Sequence, residues 1–481
     1  MNRIDQPRAP DGAEARFEGR APNRELPPAS RILTRNQLTY YGRLAQTRAG
    51  QSWALPIILL VVAGVCYNCV LAFANARGVP VNRPLVVLTE ITILGGVAVT
   101  LLGGRAQRID PAPALFLAFF LVNGLAVSLL SGAIFVEMTR NAAIIALFVM
   151  LGARTSPSAL TKCFVITAAI AFAVLLVEIV AVGTYAELFN PASYLANTRG
   201  IPPSQFDDIG LFGNALGWDE RFSILKIIDH RASSIFLEQV SLANFAVVAT
   251  IFLCCRWQSL QLPLKLSMMA VIALMVITTA SRLAFAMTLV APAVYWLAPK
   301  LHRFASAAVM PTVLLTAIIV TQLQPPTKED NLVGRLGYTI RNLGDLDLVS
   351  IAGFNAPQAS NFADGGYVYV IVASSIIGLI ILWLFVGLIA AGRSDNLKRC
   401  SLFLNLYVFS NLSVSGTSTF SIKTAALIWL LVGFMRESEK PNATPAVEPD
   451  RGKGRHRSAD DRRFSAVGPP ETHNQRELVR R

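Results

Sequence analysis

The chain has 481 residues, of which 53% are hydrophobic and only 15% are charged, so it is not an ordinary soluble globular protein. Its net charge of +13 suggests nucleic-acid binding, but the excess of basic residues lies largely in the two flanks of the chain. Attraction of these flanks to the anionic inner leaflet of a membrane explains that distribution. The sequence therefore predicts the lipid bilayer as a partner and no nucleic acid.

Both flanks are rich in Pro, Gly, Ala and charge, which is typical of disordered segments. Residues 1–52 and 436–481 are accordingly predicted to be basic, mostly disordered and cytoplasmic. Within the first flank, apolar residues at helical spacing favour an interfacial helix at 31–45. Between the flanks, residues 53–435 form the predicted transmembrane domain.

Apolar runs in this domain approach the roughly 20 residues that cross a bilayer. They predict an all-α, polytopic integral membrane protein with about twelve transmembrane helices. The fourth run is short and is also compatible with a re-entrant or tilted piece. The predicted spans are 53–74, 85–103, 112–130, 142–152, 165–183, 234–255, 266–280, 283–298, 307–320, 366–391, 401–414 and 422–434.

The charges of the short loops orient these spans. Basic residues occur in every second connection, and the positive-inside rule places those connections and both termini in the cytoplasm. The two longest connections, residues 185–232 and 323–365, are then periplasmic. The first is too apolar for a linker and is predicted to pack onto the bundle as short amphipathic pieces, whereas the second shows little helical periodicity. Long loops of this kind suggest recognition or chemistry at the outer face.

The segment 230–245 carries the strongest candidate site. Arg231 lies at the mouth of an apolar run, and Glu238 is predicted about two turns inside the resulting membrane helix. Since a charge at bilayer depth costs roughly 2.5–3.5 kcal/mol, the pair suggests an anion site with a nearby carboxylate. The alternative is a snorkelling arginine and a capping carboxylate. Candidate substrate contacts beside them are Asp229, His230 and Ser234.

A second candidate site lies where Ser281 and Arg282 separate two apolar spans with almost no loop. Arg282 is predicted to be either a second pyrophosphate clamp or an arginine that snorkels to the headgroups. In the second long loop, Arg335 and Arg341 are either surface charges or substrate contacts. They are six residues apart, too far for one helical face.

Asp364 precedes the span at 366–391 and is predicted to be either its N-cap or a substrate-contacting carboxylate, with Tyr367 as a further contact. Lys423, at the outer end of the last span, is interpreted as a snorkelling residue. The sequence has no phosphate-binding loop, no serine-nucleophile elbow and no zinc-binding helix motif. No metal and no cofactor are expected.

Three motifs in this order resemble a known family. Residues 230–245 resemble the R-x-S-S-x-F-L-E-P-x-S-x-x-N stretch of Wzy-type exopolysaccharide polymerases of the xanthan- and gellan-like branch, which are related to the O-antigen ligases. Ser281-Arg282 resembles the family's serine-arginine at a helix junction, and residues 364–367 resemble its aspartate-x-glycine-tyrosine run. The resemblance spans roughly residues 142–434, with Gln239 where the pattern usually has proline and Ala243 where glycine is usual.

The resemblance implies a lipid-pyrophosphate-dependent glycosyltransferase in the bacterial inner membrane. It would join oligosaccharide repeat units carried on undecaprenyl pyrophosphate, and chain-length-regulating and export proteins are further partners that it brings into consideration. Arg231 and Arg282 would stabilise the departing pyrophosphate, and Glu238 would deprotonate the acceptor hydroxyl, with Asp229 and Asp364 as the next candidates.

Two alternatives stay open. An O-antigen ligase commonly has a histidine in the large outer loop, and residues 323–365 have none. A transporter or flippase would place ionisable residues or helix breaks near the middle of the bilayer, and Glu90 and Glu178 inside apolar spans keep this alternative open.

Overall fold

A computed structural model of the protein describes residues 53–103, 110–202, 209–216, 225, 227–324 and 331–439. The regular elements in these ranges are α-helices and short 3-10 turns. The predictions for residues 1–52, including the helix at 31–45, and for residues 440–481 lie outside them. Residues 436–439, assigned to the disordered tail, instead complete the last helix, which ends at Glu439.

Sixteen α-helices follow one another in the described ranges. They are α1 (Ala54–Ala76), α2 (Arg83–Gly103), α3 (Pro111–Ser131), α4 (Glu137–Ala153), α5 (Pro157–Val180), α6 (Val182–Phe189), α7 (Pro191–Arg199), α8 (Gln239–Arg256), α9 (Leu262–Thr279), α10 (Arg282–Leu297), α11 (Val309–Leu323), α12 (Leu332–Gly344), α13 (Leu348–Ile351), α14 (Gly366–Ile389), α15 (Asp395–Val414) and α16 (Ile422–Glu439).

Twelve of these helices coincide with the twelve predicted spans, and the fourth span is a continuous helix of 17 residues. Nine helices in the described part of the chain are long and apolar enough to cross a membrane. The protein is therefore an all-helical, polytopic membrane protein, as predicted. The remaining three, α4, α15 and α16, are shorter or more polar, and most of their residues are buried inside the bundle.

Several helix starts are set by local sequence. Asp110, Ser156 and Asn190 each accept a backbone N–H from the first turn of the following helix, and the next residue in each case is proline. The cap satisfies an amide that the helix leaves free, and proline has no N–H to satisfy at that position. The starts of α3, α5 and α7 are therefore encoded by two adjacent residues.

The centre of the bundle is a close contact between α4 and α16. A methyl group on Gly152 would collide with the carbonyl oxygen of Leu430, and one on Gly433 would collide with that of Val149. Small residues allow two helix backbones to approach in this way, as is common in membrane proteins. The pair forms the buried axis around which the more apolar helices pack.

Helix α14 is broken in its first half. Ser374 and Ser375 have non-helical backbone angles, and the side-chain amide of Asn123 donates to the Ser374 carbonyl oxygen at 2.9 Å. Irregular backbone at this depth is tolerated where a neighbouring group satisfies it. Gly353, from the second long connection, lies beside Ser375, so that this connection reaches down to the kink.

Both long connections contain helices. The first holds α6 and α7, which confirms the prediction of short packed pieces for the part that the structure describes. The prediction of little helical periodicity in the second is wrong, because Asn331 caps the amphipathic helix α12 there. The end of the bundle from which these two connections emerge is called the loop end below.

The α4–α16 contact gives a stability prediction. Gly433→Val should destabilise the protein by about 1–3 kcal/mol, the usual range for overpacking a core, because the new side chain meets the α4 backbone. The measurement is thermal unfolding of the purified protein in detergent. Gly95→Val on α2 is the matched control, since a Cβ at Gly95 meets nothing within 4 Å. Equal unfolding temperatures for the two variants would contradict the close contact.

Candidate functional site

The segment that contains Arg231 is folded around one buried carboxylate, Glu178, near the end of α5. Glu178 is 0% exposed. Its two oxygens accept the backbone N–H of Ser233 at 3.0 and 3.1 Å, and one accepts that of Ser234 at 2.7 Å. The Ser233 hydroxyl adds a bond at 3.2 Å, and the Tyr185 hydroxyl donates to the Ser234 carbonyl oxygen at 2.8 Å. Donors of this kind compensate a carboxylate for the loss of water.

Arg231 is only 8% exposed and is held against the end of α9. Its Nε donates to the carbonyl oxygen of Thr279 at 2.8 Å, and the next residue donates its backbone N–H to Thr278. Carbonyls in the last turn of a helix have no partner within the helix, so they are available for such bonds. Ser281, the N-cap, and Arg282, the first residue of α10, follow directly. Two motifs that are distant in sequence thus meet at one helix junction.

Glu238 is not two turns inside a membrane helix, which corrects the prediction. Helix α8 begins at Gln239, because the preceding residues form a 3-10 turn in which Ser234 and Leu237 take left-handed backbone angles. Glu238 is partly buried at the N-cap position of α8, and its side chain does not cap the helix. It is ion-paired with Arg199 at the end of α7, and its carboxylate lies 3.7 Å from the Lys423 ammonium.

The surroundings of Glu238 decide its protonation. Burial alone would raise the pKa of this carboxyl, but Arg199 and Lys423, together with a hydrogen bond from Ser241, outweigh burial and hold the pKa below its ordinary value. A carboxylate that is held ionised by two cations is a weak proton acceptor. Glu238 is therefore better suited to be a counter-ion of Arg199 and Lys423 than to be the general base predicted from the sequence.

Lys423 is not a snorkelling residue, contrary to the prediction. It is 2% exposed, and its ammonium donates to the carbonyl oxygen of Phe236 at 3.1 Å. The reason is that α16 is an interior helix. Its first turn therefore packs against the segment 230–238 and is not surrounded by lipid headgroups. Lys423 therefore fixes this segment at Phe236, two residues after the last amide that Glu178 accepts.

A second ion pair lies at the loop end beneath the first. Arg140 on α4 lies 3.2 Å from Glu90 on α2, and the Tyr67 hydroxyl donates to the same carboxylate. Glu90 is seven residues from the start of α2, roughly 10 Å along the helix. Glu178 is two residues from the end of α5. These charges therefore cluster near one end of the bundle.

Asp364 is exposed and does not cap α14, because Gly365 occupies the N-cap position. The backbone beside it is fixed, since the N–H of Thr417 donates to the Ala363 carbonyl oxygen at 3.0 Å. The adjacent Ser418 hydroxyl accepts a bond from Asn244 of α8 at 3.0 Å. These contacts link the third motif to Asn244 of the first motif.

The remaining predicted contacts differ in their access to a ligand. Tyr367 is 0% exposed and donates to the Phe409 carbonyl oxygen at 3.1 Å, which is a packing role. Ser234 is buried, and its hydroxyl donates to the Ala171 carbonyl oxygen at 2.6 Å. Arg335 is half-buried and donates to the Val414 carbonyl oxygen, whereas Arg341, near the other end of α12, is exposed. Asp229 is exposed as well.

Sequence reasoning missed three residues of the site in these roles. Glu178 was noted only as an ionisable residue in a span, and Lys423 was taken for a surface residue. Arg199 carries no local signal, since only the packing of α7 across the bundle brings it to Glu238. Within the described ranges no three His, Cys, Asp or Glu side chains are grouped to hold a metal ion. What the site offers chemically is a set of fixed cations and carboxylates.

The Glu238–Lys423 pair can be tested by substitution. Lys423→Met should destabilise the protein by about 1–3 kcal/mol, because it leaves a partly buried carboxylate with one cation fewer and the Phe236 carbonyl without its donor. Glu238→Gln combined with Lys423→Met should cost less than the sum of the two single changes. Unfolding in detergent of the four proteins in this cycle measures the coupling. Additive effects would show that the two groups do not interact.

The lowered pKa of Glu238 predicts an acid-sensitive contribution to stability. Ionised Glu238 stabilises the fold at pH values above its ordinary pKa of 4.5, and this contribution is lost as the pH falls through the lower folded-state pKa. Wild type should therefore be more stable than Glu238→Gln at pH 7, with the difference narrowing below about pH 4.5. Unfolding in detergent from pH 7 to pH 3.5 measures this difference. A difference that narrows already between pH 7 and pH 5 would contradict the assignment.

Comparisons with known proteins identify no relative of this chain. No protein-family model matches the sequence, no curated protein shows significant similarity, and no solved structure shows a significant match. The resemblance of the three motifs to Wzy-type polymerases is therefore an expectation from sequence, and the function has to be argued from the geometry of the loop end.

Proposed function

We propose that the protein is a lipid-pyrophosphate-dependent glycosyltransferase that polymerises oligosaccharide repeat units at the periplasmic face of the bacterial inner membrane. The observation that carries the proposal is the meeting of Arg231 with the Thr279–Arg282 junction. Two arginines from separate motifs thereby belong to one helix junction at an end of the bundle. A lipid-linked pyrophosphate has its charge at this level and its tail in the bilayer.

The chemistry needs little beyond such cations. Pyrophosphate is a good leaving group, and fixed positive charges stabilise the negative charge that develops as the bond to the sugar breaks. Arginine presents a planar fork of donors that matches phosphate oxygens. Arg231 would be held in the required orientation by its bond to Thr279, so that its position costs no reorganisation when the charge develops.

The exposed groups of the loop end would contact the sugars. Asp229, Asp364 and Arg341 are exposed, and they belong to segments that are anchored to the bundle by the contacts described above. The donor chain and the acceptor unit each require such polar contacts. The fixed helices α7 and α12 in the two long connections give these contacts a rigid support.

A transporter or flippase is the second candidate, and the break in α14 is the observation that favours it. Unwound helices in transporters line substrate sites near the middle of the bilayer. Glu90, Glu178 and Lys423, however, all lie near the loop-end termini of their helices. That placement favours reaction at one face over passage through the bundle.

Surface glycan analysis of a deletion strain tests the proposal. Complementation with Arg231→Ala or Arg282→Ala should leave single repeat units on the lipid carrier and no long chains. For the purified protein, each change should lower the polymerisation rate by about 10²–10³-fold, as for the loss of one transition-state donor. Arg77→Ala is the matched control, because Arg77 is an exposed arginine just after α1 at the same end of the bundle.

Other phenotypes of the deletion strain would identify the alternatives. Long lipid-linked chains that never reach the lipid A core would indicate a ligase. Repeat units trapped on the cytoplasmic side would indicate a flippase. Normal polymer in both arginine variants, at normal protein levels, would contradict the assignment of these residues.

A further inference from the structure

His230 and Glu178 form a buried pair outside the two arginines of the proposed chemistry. His230 is 7% exposed, and its Nε2 lies 3.6 Å from a Glu178 carboxylate oxygen. That nitrogen is buried and has no hydrogen-bond partner in the described part of the protein. His230 also directly precedes Arg231, the residue to which the proposed function assigns the leaving pyrophosphate.

The carboxylate in this pair is immobile. Three donors from Ser233 and Ser234 fix both of its oxygens, so the negative charge has one position relative to the imidazole. In the part of the chain that the structure describes, the charged and titratable groups around His230 are Glu178 from α5 and its sequence neighbours Asp229 and Arg231, with Tyr185 from α6 bonded to Ser233 and Ser234 of the same segment. A fixed carboxylate 3.6 Å from Nε2 stabilises a positive charge on the imidazole through space, and Nδ1 is the ring nitrogen that does not face it.

We propose that His230 is the general base of the glycosyl transfer and that Glu178 is its positioning residue; this inference rests on the proposed function. The acceptor hydroxyl oxygen forms a bond to the anomeric carbon of the donor sugar. The bond from that carbon to the pyrophosphate oxygen breaks, and its electron pair leaves with the lipid pyrophosphate. The hydroxyl proton passes to Nδ1 of His230, and Glu178 stabilises the imidazolium until the proton is released to water.

This assignment is chemically better than the carboxylate suggested by sequence. Imidazole is the side chain whose unperturbed titration is nearest neutral pH, so it accepts a proton and releases it again under working conditions. Glu238, by contrast, is held ionised by Arg199 and Lys423. The base and the arginine for the leaving group would then be consecutive residues on one fixed segment.

The experiment uses the full-length protein in detergent with a synthetic undecaprenyl-pyrophosphate oligosaccharide. His230→Gln should lower kcat by about 10²–10⁴-fold, the usual contribution of a general base, and change KM much less. His230→Ala should recover part of its rate with added imidazole. Glu178→Gln should move the fall of kcat at acid pH to lower pH, because the imidazolium loses its counter-ion. A role in structure alone predicts neither the rescue nor this shift.

If these variants do not fold, chemical modification of His230 in a protein that keeps this residue tests the same assignment. In a His302→Gln, His456→Gln, His473→Gln background, His230 is the one histidine left. Diethyl pyrocarbonate should inactivate this protein, and the lipid-linked substrate should slow the inactivation. A folded His230→Gln variant with wild-type kcat would overturn the assignment of His230 as the base but would not contradict the polymerase function. Resistance of the triple-Gln protein to diethyl pyrocarbonate would have the same meaning. A wild-type protein that transfers no lipid-linked glycan would overturn both.

Discussion

The carboxylate of Glu178 is the group on which the site's geometry depends most. A buried charge in an apolar helix has to be compensated, and here the compensation comes from backbone amides 55 and 56 residues later in the chain. Those amides belong to the segment that carries His230 and Arg231. The same bonds that make the carboxylate tolerable therefore determine where the candidate catalytic groups lie.

Lys423 holds a second point of the same segment, the carbonyl oxygen of Phe236. The segment 230–238 contains two left-handed residues, Ser234 and Leu237, which are unfavourable for side chains with a Cβ. Such a backbone persists where its surroundings determine it strongly. Glu178 holds one end through its amides, and Lys423 holds the Phe236 carbonyl oxygen at the other. Arg199 then ties Glu238, the last residue of the segment, to α7 in the first long connection.

The helices were predictable because apolarity over about 20 residues is a property of each run by itself, and all twelve predicted spans fall on helices. The start of α8 was not predictable from its own sequence. The 3-10 turn before it is held by Glu178 and Lys423, which are far away in sequence. For the same reason the burial of Lys423 was missed. A lysine at a helix end snorkels when lipid surrounds the helix, and it is buried when other helices do. Only the packing of α16 decides between the two outcomes.

The three shorter or more polar helices explain why charged side chains are tolerated inside the bundle. Helices α4, α15 and α16 contact mainly protein, so they need neither the length nor the uniform apolar surface of a lipid-facing helix. The close approach at Gly152 and Gly433 places α4 and α16 side by side at the centre. The first turn of each helix, which carries Arg140 in α4 and Lys423 in α16, consequently lies at the loop end. Polar groups are tolerated in this interior because each can find a partner there, as Arg140 does in Glu90 and Lys423 in Glu238. An anionic headgroup that entered from the loop end would meet Arg231, which is largely buried and oriented by its bond to Thr279. Fixed charges of this kind stabilise a transition state most effectively.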